Sequence, residues 1–338
     1  MITAIAGLVG LAGCAIPGND IGTELGRQNI LESTHKALTN GECALAINLI
    51  EPLYNSVHSN DAVRMAYAAA HGCNAGINFF QLLDVFVATP PVGTAFWTTM
   101  AENFYHTDLN FLDQRVESTR RATYALFSVI GYGIVVPLAN QVNWSSFNPG
   151  SLLAVDRSPD SNLYNVLISA ARIGALQNRY SAPDTTTWNK TQVVGYTVGN
   201  PNGWQDATLT ADHGCQFASA FLNFIDSVDQ IAVNPGGSSG AAIATVTAAI
   251  KPVIGEACNY GCQGNAAGVI GSAPPEVIDF SGTGCAFADN ICAGTASVPC
   301  PQALRDATAC TGLVTDRNSC AAAGIARFVN MHTTLGWP

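Results

Sequence analysis

The sequence predicts a mostly α-helical body of stacked, repeat-like helical hairpins followed by a disulfide-stapled, loop-rich C-terminal region. Three observations predict it. Apolar residues recur at three- and four-residue steps in successive segments parted by turn residues, the pattern of helices that bury one face. Hydrophobic residues make up 48% of the 338 residues and charged ones only 11%, so a large core is expected and a disordered chain is excluded. Of 11 cysteines, those from Cys258 onward crowd into a stretch rich in Gly, Ala and Pro, the composition of loops held by disulfides.

The elements follow in order. After a turn at Pro17-Gly18-Asn19-Asp20, Ile21–Leu38 reads as a helix ended by Asn40-Gly41. Glu42–Tyr54 reads as a second, which Pro52 should kink or end. A turn at 56–60 leads to a third helix, capped by Asn60 or Ser59 and expected to reach about Phe86. Pro90 and Pro91 break the chain before a short segment at Phe96–Phe104. Asp108–Leu138 then reads as one long helix, charged at first, with Asp113, Arg115, Glu117, Arg120 and Arg121 expected to form pairs on its surface. Its second half changes character, because no charged residue occurs from Ala122 to Val155. The 18-residue run Ala122–Ala139 is most simply a central helix buried on all sides, with an oligomer interface or membrane insertion as alternatives. Residues 143–160 read as a loop, 160–176 and 205–228 as helices, Thr191–Val198 as a short strand or hairpin arm, and 241–258 as a last helix.

An internal echo links two segments. Placing His71-Gly72-Cys73 on His213-Gly214-Cys215 also matches Ala69 with Ala211, Phe79 with Phe221 and Asp84 with Asp226, suggesting duplicated hairpins near 41–87 and 205–258. Hairpin geometry brings residues equidistant from a turn face to face. Cys43 and Cys73 are equidistant from His58 and should pair; Cys215 and Cys258 centre on the Gly236-Gly237 loop and are paired by the same rule. Cys262, Cys285, Cys292, Cys300, Cys310 and Cys320 remain, as further disulfide cysteines whose connectivity stays open. A zinc or iron–sulfur site in this stretch is the rival reading, but the spacings lack tight metal-binding knuckles, so no metal and no cofactor are expected.

At the N-terminus, residues 2–13 are an uncharged apolar and small-residue run ending at Leu11-Ala12-Gly13-Cys14. This run resembles the lipobox of bacterial lipoproteins. The resemblance implies a signal peptide over 1–13, cleavage before Cys14 and acylation of that cysteine. Only the terminal amine is positive, where signals of that family open with Lys or Arg. The absence of Asp after the cysteine, where Ala15 stands, implies the outer membrane, with the protein facing periplasm or cell surface. The domain division is then signal 1–13, helical body 14–258 and Cys-rich region 259–338 packed on the body. The helix pattern is also loosely similar to tetratricopeptide-like periplasmic lipoproteins, a resemblance that nominates no residues.

Chemistry is sparse. The charge of -10 and only three lysines exclude an electrostatic footprint for nucleic acid. No metalloprotease, serine-hydrolase or phosphate-loop motif occurs, and Gly236–Ala242 lacks the lysine a phosphate cradle needs. His71 and His213, related by the echo, form the only histidine pair worth weighing, and satisfied core residues beside a close helix contact at Gly72 or Gly214 are the simpler reading. Asp84 and Asp226 are weighed likewise as caps or partners of Arg115, Arg120 or Arg121. The expected function is a non-catalytic, lipid-anchored envelope scaffold or interaction protein. Its uncharged stretches 85–101 and 122–155 would meet a partner, another copy or the membrane. The alternative is an accessory protein enclosing a small apolar solute or lipid among Phe79, Phe80, Phe86, Phe96, Trp97, Phe104 and Tyr105.

Overall fold

A computed structural model describes residues 20–57, 60–78, 94–129, 159–192 and 211–233, together with residues 307, 310, 311 and 337. The expectations for Cys14 and its signal, Asp84, the segment 130–158, residues 193–198 of the proposed strand, the helix 241–258, and Cys258, Cys262, Cys285, Cys292, Cys300 and Cys320 lie outside them. Among the described residues there are seven helices and no strand. They are α1 (Glu24–Thr39), α2 (Cys43–Ser56), α3 (Asp61–Asn74), α4 (Thr94–Asn103), α5 (Leu109–Val129), α6 (Pro159–Ser181) and α7 (Ala211–Val233).

Local chemistry sets their ends. Thr23 caps α1 by accepting from Gly26 N at 3.1 Å, and Asn60 caps α3 by accepting from Ala62 N and Val63 N at 2.9 and 3.2 Å. Both α1 and α3 stop at a Schellman turn. Gly41 donates to Leu38 O while Glu42 donates to Ala37 O, and Gly76 donates to Cys73 O while Ile77 donates to Gly72 O. Gly41 and Gly76 have φ of +74° and +73°, which a side chain would strain. The sequence reading carried the third helix past this glycine to Phe86; the structure ends it at Asn74. Pro52 sits inside α2 without ending it, and Ser56 Oγ donates to the Pro52 carbonyl at 3.0 Å.

The helices stack in chain order, α1 on α2, α2 on α3, α3 on α5, α5 on α6 and α6 on α7, with α4 laid against α6. Contacts fix their directions. Asn165–Ser227 and Tyr180–His213 make α7 antiparallel to α6, and Arg172–Thr119 with Arg179–Asp113 make α6 antiparallel to α5. One core lies between α1, α2, α3 and the second half of α5, around Ile50, Leu53 and Leu126. The other lies between α4, α6 and α7, around Trp97, Leu167, Phe217 and Phe224, and takes in Ala307, Cys310 and Trp337 from the C-terminal region.

The hairpin register of the first disulfide is as the turn arithmetic requires: Cys43 is bonded to Cys73, with Cα atoms 5.4 Å apart. The second pairing is corrected. Cys215 is bonded to Cys310, not Cys258, with Cα atoms 5.6 Å apart. The reason is packing, since Ala307 and Cys310 enter the core beside Cys215 and Phe217 in the first turns of α7. The echo is also not one of equivalent hairpins: His71-Gly72-Cys73 closes α3, whereas His213-Gly214-Cys215 opens α7.

The helix buried on all sides is α6, where every residue from Asn165 to Asn178 is buried. The start of the uncharged run, Ala122 to Leu126 at the end of α5, is buried as well. No helix among the described residues is long and apolar enough to cross a membrane. Arg115 is a second correction. Expected on the surface, it is 7% exposed and donates from Nε to Ala75 O and from a terminal nitrogen to Phe104 O, both at 2.7 Å. One guanidinium thereby closes the C-terminal ends of α3 and α4, where helix dipoles favour a cation.

Candidate functional site

The central helix α6 carries an unusual load of polar residues for a buried element, and they divide into two groups. The first faces α5 and α7. Asn165 Nδ2 donates to Ser227 Oγ at 2.8 Å. Arg172, 1% exposed, donates to Gln216 Oε1 at 3.2 Å, Ser219 Oγ at 3.1 Å, Thr119 O at 3.4 Å and Thr123 Oγ1 at 2.5 Å. A buried charge is tolerable only when it is hydrogen-bonded, and here both terminal nitrogens end on oxygens from the neighbouring helices. This seam is structural: it fixes the register of three helices.

The second group occupies the last turn of α6 and the loop behind it. Gln177, Asn178 and Ser181 are 1%, 6% and 0% exposed. Asn178 Nδ2 donates to Ala101 O at 3.0 Å and to Gly174 O at 2.8 Å, which ties α6 to α4. Its Oδ1, both amide atoms of Gln177 and the hydroxyl of Ser181 meet no hydrogen-bond partner. Beyond Ser181 the chain turns back on itself. Asp184 accepts from Thr186 N and Thr187 N at 2.7 and 3.0 Å, which holds its carboxyl below the usual range, and Thr191 N and Gln192 N return to Ser181 O. Two non-glycine residues of this loop are in the left-handed region, Ala182 at φ +43° and Trp188 at +57°.

Aromatic rings and one amine complete the surroundings. Trp337 stacks near Trp97 with centroids 6.4 Å apart and planes 19° apart, and donates from Nε1 to Trp188 O at 3.0 Å. Lys190 Nζ donates to Trp337 O, and burial lowers its pKa. Beside the turn, Tyr180 Oη and His213 Nδ1 lie 2.5 Å apart, while Arg179 pairs with Asp113 at 3.0 Å. Burial lowers the His213 pKa against the pull of Asp113 and Asp212, so the imidazole is neutral at neutral pH. A phenol and a neutral imidazole can share one proton, but no described nucleophile is joined to them.

The residues singled out from sequence are not brought together. His71 belongs to the other core, 4% exposed, with its ring 4.5 Å from Tyr67 and neither nitrogen hydrogen-bonded. Burial and Arg121 lower its pKa to about 4. Gly72 provides the expected close contact, since a Cβ there would run into the Tyr164 hydroxyl. The charged block of α5 splits three ways: Glu117 pairs with Arg120 and Arg121, Arg121 also with Glu51, and Asp113 with Arg179. Phe96, Trp97 and Phe104 are 5%, 0% and 2% exposed and lie within the core; Trp97 packs on Phe221 and Phe96 on Phe224. As residues of the apolar-solute pocket they are therefore occupied with core rings.

Gln177, Ser181 and Lys190 were not singled out by sequence. In the sequence Gln177 follows the segment read as helix, 160–176, and Ser181 lies in the Thr- and Asn-rich stretch from Tyr180, so no pattern marks either. Among the described residues no group of three His, Cys, Asp or Glu is placed to hold a metal ion. No protein-family model, curated protein or solved structure matches this chain.

Proposed function

We propose that this chain is a lipid-anchored, non-catalytic scaffold or interaction protein of the bacterial cell envelope, held at the outer membrane through Cys14 and able to self-associate. The carrying observation is the run Leu11-Ala12-Gly13-Cys14, which closes an uncharged apolar stretch over residues 2–13 and resembles a lipobox. The two disulfides support it. Cys43–Cys73 and Cys215–Cys310 join residues 30 and 95 apart, and such long-range structural bridges suit an oxidising compartment. A stack in which α1, α2, α3, α5, α6 and α7 each pack on the next is an arrangement that many helical interaction proteins share.

The test is expression with the native N-terminus in a diderm bacterium, membrane fractionation, and intact mass measurement in mild detergent. The expected result is a chain beginning at Cys14 with added acyl mass, sedimenting with outer membranes as a defined multimer. Cys14→Ala should leave the mass unprocessed and the protein out of that fraction. An unacylated chain that still begins at Met1 would remove the anchor from this reading, and a strictly monomeric acylated chain would remove the self-association.

A further inference from the structure

Trp337 is held through each of its parts by residues far from it in sequence. Its ring lies near that of Trp97 in α4, centroids 6.4 Å and planes 19° apart, and the residue is 2% exposed. Its Nε1 donates to Trp188 O at 3.0 Å, its carbonyl oxygen accepts from Lys190 Nζ, and the same ammonium stands 5.8 Å from the centre of its ring. Indole N–H, ring and backbone carbonyl are each answered, so the contact selects a tryptophan residue of a peptide rather than any apolar side chain.

The receiving wall keeps its shape through bonds of its own. Trp188 N donates to Asp184 O at 2.7 Å, Asp184 N donates to Asn189 O at 2.9 Å, and Thr191 N donates to Ser181 O at 3.1 Å. These bonds close the loop in which Trp188 takes φ +57°. The Trp188 ring meets Tyr105 edge to face at 5.4 Å, on the solvent side where Tyr105 is 37% exposed and Lys190 is half-buried. Behind, Trp97 is set against Phe96 and Phe221 at 5.3 and 5.6 Å. None of these contacts involves Trp337. Helix α4 and the loop 182–192 thus build a socket, and the tryptophan is its occupant.

The bonds to Trp337 span 147 and 149 residues, and nothing in them depends on which copy of the chain supplies the residue. An exchanged segment makes the same contacts in a neighbour as at home, so the local concentration of copies decides between the two arrangements. We propose that the socket of Trp97, Trp188 and Lys190 is the self-association surface of this protein, and that its partner is the Trp337 segment of a second copy. This inference rests on the self-association proposed above and names the surface that carries it. Mutual exchange closes a two-fold dimer, because each copy gives one segment and receives one.

The probe is a fluorescent synthetic peptide of residues 333–338, titrated into the full-length protein in mild detergent, with copy number read by native mass spectrometry. The Trp337→Ala protein should bind it saturably, with a Kd of about 1 mM or tighter, and the parent at least about tenfold more weakly, since its own Trp337 fills the socket. A peptide with alanine in place of the tryptophan should bind neither protein. Adding Lys190→Met to Trp337→Ala should weaken the peptide about threefold or more. The parent should be dimeric and the Trp337→Ala protein monomeric. Trp337→Phe fills the socket without the indole N–H and guards against a misfolded alanine variant: its circular dichroism should match the parent, and its peptide affinity should lie between the other two. A peptide that neither variant binds overturns the proposal. A dimer that persists in both variants also overturns it, while leaving self-association through another face. A monomeric parent whose alanine variant still binds the peptide removes self-association itself and reduces the socket to an intramolecular contact.

Discussion

Single atoms decide several positions in this chain. At Gly72 an added Cβ would meet the Tyr164 hydroxyl and then the ring carbon that bears it, so α3 and α6 approach there only because the side chain is hydrogen. Gly72→Ala should cost about 1–3 kcal/mol, as overpacking of a close helix contact does. Tyr164→Phe in the same chain should recover part of it, and chemical denaturation of the two single variants and the double one measures the coupling. His71 gives a pH dependence with a definite sign. Its folded pKa, about 4, lies below the ordinary value of 6.5, so the unfolded chain binds the extra proton first as pH falls. Stability contributed by the neutral ring is therefore full above pH about 6.5 and is lost progressively down to pH about 4, by at most ~3 kcal/mol. Urea unfolding at both ends of this window should show the loss in the parent and a clearly smaller one in His71→Phe. His213 acts in the same direction, because burial lowers its pKa too.

Between elements, the clamps are charged or covalent. Arg115 receives nothing from an acid among its bonds to Ala75 O and Phe104 O; it is held by the carbonyl ends of two helices and by the rings of Phe104 and Phe111 at 5.6 and 4.9 Å. Burial lowers its pKa to about 10, which still leaves it a cation at neutral pH. Arg115→Met should destabilise by about 2–4 kcal/mol by leaving two buried carbonyls unmet, with hydrogen exchange accelerating first at the ends of α3 and α4. Cys43→Ser should free Cys73 to react with a thiol reagent after mild unfolding, and no other cysteine. Loss of that loop closure should cost about 3–4 kcal/mol.

Across the whole molecule, the seam through Arg172 joins α5, α6 and α7 into one block, while α1 and α2 lean on the rest through a single neighbour or two. Amide exchange should accordingly be slowest in α6 and its two partners and faster in α1, which lies at the edge of the stack. Arg172→Ala should cost about 3–5 kcal/mol, since the oxygens of Gln216, Ser219 and Thr123 would lose a buried donor. If exchange in α6 and α7 separates in that variant while α5 stays with α3, the seam is the cooperative joint of the fold.

The sequence by itself determined that this chain is helical, where α3 begins, that α1 ends at Gly41, and that Cys43 meets Cys73. Each of those rests on neighbours within a turn or one hairpin, where spacing and cap chemistry are decisive. It also nominated the only address available, the lipobox-like run to Cys14. The tertiary structure alone decided what depends on distant partners. Arg115, which has the charge pattern of a surface residue, is drawn inside because two helix ends converge on it. The central helix proved to be α6, whose Asn, Ser, Arg and Gln disguise it as amphipathic, because polar side chains can be buried wherever a facing helix answers them. Cys310 reached Cys215 across 95 residues through core packing that no local rule encodes. Gln177 and Ser181 stand out for the same reason in reverse: among the described residues nothing answers their side-chain polar atoms, and only three-dimensional packing reveals an unanswered group.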